Sequence, residues 1–207
     1  MVQKETAPVR RGRPRSFEPD AALLKARDTF WRKGYAATSL DDLSAATGLN
    51  RPSLYGAFGD KRALYLAALQ RNRQDMIVSL TNGLAATGSL RERLLFVFSR
   101  ASELYRAGDE GQRGCFLIGT AVTESVADPA VRQVLASAFQ EMDDCFAAAF
   151  AKARDELPAG ADPAGLAKLA TGLLHTMAVR ARAGADEPTL RAIYEAGLTL
   201  ICGPAAP

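Results

Sequence analysis

One histidine and three cysteines are all that this 207-residue chain offers to a metal site or a catalytic triad. The cysteines, Cys115, Cys145 and Cys202, form no CxxC pair and no Cys/His cluster. An odd number so widely spaced argues against a disulfide framework and against structural zinc. Neither a GxGxxG nor a GxxxxGKS/T loop is present to cradle phosphates. No apolar run approaches the roughly 18–20 residues that a membrane span needs, and the opening MVQKETAPVRRGRPRSF lacks the apolar block of a secretion signal. These absences lead to an expectation of a cytoplasmic protein, away from membranes, with no catalytic residues, no metal and no cofactor.

What remains is ordinary globular material, 48% hydrophobic and 24% charged, enough for one large domain or two smaller ones. The net charge of +3 conceals an asymmetry: residues 1–73 hold 14 Lys and Arg against 7 Asp and Glu, the remainder 12 against 16. A basic head on a mildly acidic body fits a polyanionic partner, although basic patches are also common as plain solvated surface. Periodicity is helical almost throughout, with no convincing strand alternation, so an all-α fold is expected.

The segment 39–58 has the most specific grammar. Ser39, or Thr38, is placed to cap a short helix, with Asp42 three residues on from Ser39 near the positive helix end. Gly48 ends that helix, Asn50 caps the next, and Pro52 falls in the first turn, where a missing N–H costs no hydrogen bond. Leu54 and Phe58 take the core side, which leaves Arg51, Ser53, Tyr55 and Gly56 outside. Asp60 then caps a long helix that begins at Lys61. Two short helices joined by a tight turn form a helix-turn-helix, whose second helix enters a major groove. A plain helical hairpin inside a bundle fits the spacing equally well.

GYAATSLDDLSAATGLNRPSLYGAFGDKRALYLAAL (34–69), following ALLKARDTFWRKG, resembles the N-terminal domain of the TetR family of bacterial transcriptional regulators. The likeness spans roughly residues 17–77. It implies a three-helix DNA-binding domain there, containing the helix-turn-helix at about 39–58, and a larger helical ligand-binding and dimerisation domain over 78–207. It implies phosphate contacts from Thr38, Ser39, Tyr55 and Lys61, and contacts at or near base edges from Asn50, Arg51 and Ser53. Pro52 departs from the small or charged residues common at its position and offers apolar contact, for example to a thymine methyl. Gly56 leaves room for close approach to the DNA backbone. A solvated face is the plainer reading of Lys61.

The stretch RRGRPRSF, within a flexible arm over residues 1–16, sets Arg13 and Arg15 beside Gly12 and Pro14 and resembles the Gly-Arg-Pro core of the AT-hook. Extended arginines suit the narrow minor groove of A·T-rich DNA; a solubilising tail fits equally well. In the body, helices are expected over about 89–108, 114–128, from 129 to the loop at 158–165, and then over about 163–183 and 187–202. In the family the last two form a four-helix bundle with their twins, which implies a homodimer on a palindromic double-stranded operator. A small-molecule inducer lodged among the helices would change the spacing of the two heads, which must match major grooves about 34–36 Å apart.

Candidate ligand contacts on the fourth and fifth helices are Met76, Phe96 and Tyr105. Cys115, Phe116, Thr120 and Thr123 follow, then Phe139 and Met142, and finally His175 and Arg180. At such spacings Met and aromatic residues are more often core, His175 more often structural, and Arg180 more often a surface or interface ion pair. Cys115 follows Arg113 and Gly114 at a helix start, an arrangement that favours thiolate, and the likeness extends to relatives that sense electrophiles or oxidants there; a small buried apolar role is the simpler alternative. The function expected is a ligand-responsive repressor. The rivals are thiol sensing through Cys115 on the same scaffold, a thiol redox enzyme, and non-specific architectural DNA binding.

Overall fold

The computed structural model describes residues 18–108 and 112–204, and among these every regular element is helical. Helix α1 (Pro19–Lys33) opens on a proline, whose missing N–H is harmless in a first turn. Helix α2 (Leu40–Thr47) starts with a capping box: the Ser39 hydroxyl accepts from the Asp42 amide while the Asp42 carboxylate accepts from the Ser39 amide. Gly48, at φ 74°, turns the chain in the left-handed region where a side chain would be strained. Asn50 caps α3 (Arg51–Phe58) by accepting from the Ser53 amide, and Asp60 caps α4 (Lys61–Leu84) at the Ala63 amide. The caps read from sequence at Ser39, Asn50 and Asp60 are therefore present.

The head's core is built from Ala26, Phe30, Leu43, Leu54, Leu64 and Tyr65. Full burial of a side chain such as Phe30 or Leu54 contributes about 1.5–3 kcal/mol. This core does not stop at the head. It continues into Phe116, Leu117, Val131 and Leu135, and the buried Tyr65 hydroxyl donates to Thr120 Oγ1 at 2.8 Å. The expected boundary at residue 77 lies inside the unbroken helix α4, so head and body share both a helix and a core.

The body packs α5 (Leu90–Arg106), α7 (Pro129–Lys152), α8 (Pro163–Arg182) and α9 (Glu187–Cys202) around Phe98, Phe146, Phe150 and Tyr194. Gly83 lets α4 and α5 approach closely, since a Cβ there would lie 2.8 Å from Val97 Cγ2. The largely buried helix expected over 114–128 is shorter and differently wound. It is α6, a π-turn Leu117–Ala121 running into one α-turn, Val122–Glu124. Its first half is largely buried, but Val122 and the following Val126 are exposed, because the first half lies against α1, α4, α7 and α8 whereas the second packs mainly on α7.

Candidate functional site

Helix α3 turns one face outward. Asn50, Arg51, Pro52, Tyr55 and Gly56 are exposed there, with Tyr55 47% accessible, while Leu54 is pinned in the core. A Cβ built on Gly56 meets nothing within 4 Å, so the fold itself gives no reason for a glycine. Asn50 spends its side-chain oxygen on the cap, at 2.9 Å from the Ser53 amide, and keeps its NH2 group outward. Ser53 is half-buried behind it. Arg51 is held by Asp41 of α2, with Nη2 at 2.7 Å and Nε at 3.1 Å from the same carboxylate oxygen.

The residues flanking this face divide. Ser39 is exposed, its hydroxyl donating to Asp42 Oδ2 at 2.8 Å. Lys61 lies half-buried with its ammonium 4.4 Å from the centre of the Tyr35 ring, a cation–π arrangement that aims it. Thr38 differs from the outward placement expected of it: the side chain is 1% exposed and its hydroxyl donates to the Gly34 carbonyl at 2.6 Å. The tight turn after α1 leaves that carbonyl without a helical partner, and Thr38 satisfies it from inside. Arg13 and Arg15 lie outside the described residues.

Behind the head lies a cavity of about 430 Å³. Arg27 and Trp31 of α1 form one wall, α4 and α5 the opposite ones, and Arg113, Cys115 and Phe116 the end. Of the residues expected to touch a ligand, Met76, Phe96, Tyr105, Cys115, Phe116 and Met142 line it. Five do not. Thr120 is buried and takes the Tyr65 bond, and Thr123 sits on the exposed half of α6. Phe139 packs on His175, with ring centres 4.5 Å apart, and Arg180 is exposed on α8.

The surroundings of Cys115 do not favour the thiolate. Burial pushes its thiol up, and the amides of Ile118 and Leu117 offset this only in part. Arg113, expected to favour a thiolate, is engaged elsewhere: its guanidinium lies 3.9 Å over the Trp31 ring and donates to Asp28 at 2.8 Å. The neutral thiol is the favoured form. Burial likewise lowers the His175 pKa, opposed by Asp143, and so favours the uncharged imidazole.

Residues 22–68 match the family described as "Bacterial regulatory proteins, tetR family", and residues 90–196 match "Tetracyclin repressor-like, C-terminal domain". Over 193 residues, 92% of this chain and 90% of the relative, the sequence is 35% identical to the HTH-type transcriptional repressor ComR of Escherichia coli (strain K12). The chain belongs to the TetR family. It is a DNA-binding transcriptional regulator, from a family of regulators rather than enzymes. BdcR, another HTH-type transcriptional repressor of Escherichia coli (strain K12), is 33% identical over 118 residues, 57% of this chain and 59% of that one. Among solved structures, a cysteine mutant of the TetR family regulator CifR, complexed with a 26 bp operator duplex, superposes with a TM-score of 0.80 at 30% identity. That match covers 90% of this chain and 98% of CifR. Among the described residues no helix is long and apolar enough to cross a membrane.

Within this TetR scaffold, sequence reasoning passed over several working residues. Asp41 fixes Arg51 from ten residues away, and Tyr35 seats Lys61. A knot at the base of the head was also missed. The Trp31 indole donates to the Arg113 carbonyl at 2.9 Å, and Arg182, in the last turn of α8, donates at 3.0 Å to the carbonyls of both Trp31 and Arg113. The signal available was the basic last turn of α8, where arginines ordinarily serve nearby carbonyls.

Proposed function

We propose that this regulator is a homodimeric repressor that holds a palindromic operator and is released when a small molecule fills the cavity. The observation that carries the reading is the shared wall. Arg27 and Trp31 belong to the first helix of the head, yet they line a space otherwise bounded by the body. A molecule that needs more room there must move α1, and α1 packs directly on α2 and α4. Because the head's core continues into α6 and α7, the head responds as a rigid unit. A ligand shifts the equilibrium only by the difference between its affinities for the two states.

The outward face of α3 supplies the reading residues of this proposal: Asn50, Arg51, Pro52 and Ser53 at or near base edges, Gly56 at the point of closest approach, and Ser39, Tyr55 and Lys61 on phosphates. One such helix specifies only a few base pairs, so two copies are needed for an operator of useful specificity. Leu169 and Val179 of α8 and Leu200 of α9 are exposed and apolar, which supports these helices as the face that meets the second copy. CifR bound to its operator duplex supports the same use of the scaffold.

Ala101 lines the cavity, so Ala101→Trp fills part of it without any ligand. The expected result is a folded dimer with operator affinity at least tenfold below wild type, read by anisotropy on a duplex selected from a random pool. Unchanged affinity in the filled variant overturns the coupling. A wild-type chain that stays monomeric and prefers no duplex sequence overturns the repressor reading itself.

A further inference from the structure

The cavity wall carries charge, yet each charge already faces its opposite. Arg27 donates to Asp28 at 2.9 Å and lies 3.8 Å from Asp75. Arg113 donates to the same Asp28, Arg100 pairs with Glu103, and Asp75 also accepts from Arg71 at 2.9 Å. An anionic ligand would have to displace Asp28 from two guanidiniums. A cation would have to displace two arginines from Asp75. Neither exchange gains a net ion pair.

The polar groups left over are neutral. Asn72 on α4 is 9% exposed and Tyr105 on α5 is 7% exposed; both line the cavity. Neither side chain has a hydrogen-bond partner among the described residues. Neither the Asn72 amide nor the Tyr105 hydroxyl is among the fully enclosed polar atoms that lack a partner, so both stay open to the cavity, where a ligand group can take the place of water. The Tyr105 hydroxyl stays protonated, because burial pushes its pKa well up and the neighbouring Cys115 pushes the same way. The remaining surface is apolar, with Trp31, Phe96 and Phe116 and the thioethers of Met76 and Met142 set among aliphatic side chains such as Leu80. Flat faces and adaptable sulfur suit a planar ring.

We infer that the cavity selects an uncharged planar aromatic compound carrying a hydrogen-bonding group, with that group met by Asn72 and Tyr105 and the ring lying against the aromatic wall. This rests on the reading of the cavity as the effector site, and it narrows that reading to one chemical class. Charged analogues of the same shape are rejected because every ion on the wall is already matched.

A matched triad tests it: para-butylbenzamide, para-butylbenzoate and para-butylbenzylamine, titrated into the full-length protein. Trp31 is the sole tryptophan of the chain and lies in the cavity wall, so its emission reports occupancy directly. The expected result is saturable quenching by the benzamide at least tenfold tighter than by either charged analogue. Asn72→Leu and Tyr105→Phe should each weaken the benzamide by about three- to tenfold, as the loss of one neutral hydrogen bond implies. Circular dichroism and the thermal unfolding midpoint, both taken without any compound, confirm that each variant is folded before its affinity is compared. Equal or tighter binding of a charged analogue, indifference to both substitutions, or no saturable quenching by any of the three overturns the assignment. Operator release, measured in parallel, separates the two readings. A benzoate that binds best and releases DNA overturns the ligand class alone, whereas a benzamide that binds as expected without releasing DNA supports the class and overturns the effector role.

Discussion

Gly56→Ala moves stability and DNA binding in opposite directions, which makes it unusually informative. Gly56 sits within α3 at an ordinary helical φ, and a Cβ there meets nothing within 4 Å. The methyl group therefore costs no packing, and replacing glycine by alanine in a helix gains about 0.5–1 kcal/mol. In a chain of this size that gain raises Tm by about 1–4 °C. On the proposed DNA-binding face the same methyl would occupy the nearest point of approach beside Tyr55. It pushes α3 outward and stretches the phosphate bonds made there, and charge-assisted bonds of that kind are worth about 1.5–3 kcal/mol. Operator affinity should fall at least tenfold, with both heads of a dimer affected. Differential scanning fluorimetry and anisotropy on one preparation read both quantities. A variant that is more stable and binds DNA normally refutes the placement of Gly56 at the DNA. A variant that melts lower refutes the account of open space around it.

Asp41→Asn frees the Arg51 guanidinium and removes a negative charge from the reading face, so binding to random duplex should rise several-fold with a steeper salt dependence; titration of log Kobs against log salt checks this. Arg62 and Asp128 join the start of α4 to the cap of α7, with Nε 2.5 Å from the carboxylate. The Arg62 hydrogen bonds, helped by the Ala130 and Val131 amides, hold the Asp128 carboxyl down to about 2. A carboxyl lowered in the folded state stabilises fully above its ordinary value near 4 and loses that contribution as pH falls toward 2. The urea midpoint of Asp128→Asn should lie below wild type at pH 6 and converge on it by pH 2; a constant gap contradicts the pairing.

The local grammar was legible in the sequence because caps are short-range chemistry. Ser39 with Asp42, Asn50 with Ser53 and Asp60 with Ala63 each involve residues three apart, and Leu54 faces inward by simple helical spacing. Thr38 escaped because its partner is a backbone carbonyl exposed by a turn, which no side-chain pattern announces. Asn72 escaped for the opposite reason: a polar residue in a long amphipathic helix reads as surface, and only the assembled fold buries it in the cavity wall. Five of the eleven expected ligand contacts lie away from the cavity for a related cause. Phe139, His175 and Thr120 have the right character, but they spend it on one another's neighbourhood or on Tyr65, and the pairing of distant helices decides which apolar residues border a hollow.

Arg182 holds α1 by main-chain oxygens alone, and those oxygens are the same whichever amino acids carry them. These bonds ask nothing of the side chain at position 32, whereas at 31 the indole itself ties the Arg113 carbonyl into the same joint. Transplanting the reading head of one such regulator onto the sensing half of another should keep this pin intact, yet Arg27 and Trp31 travel with the head and rebuild one wall of the cavity, so operator choice and chemical sensitivity should change together.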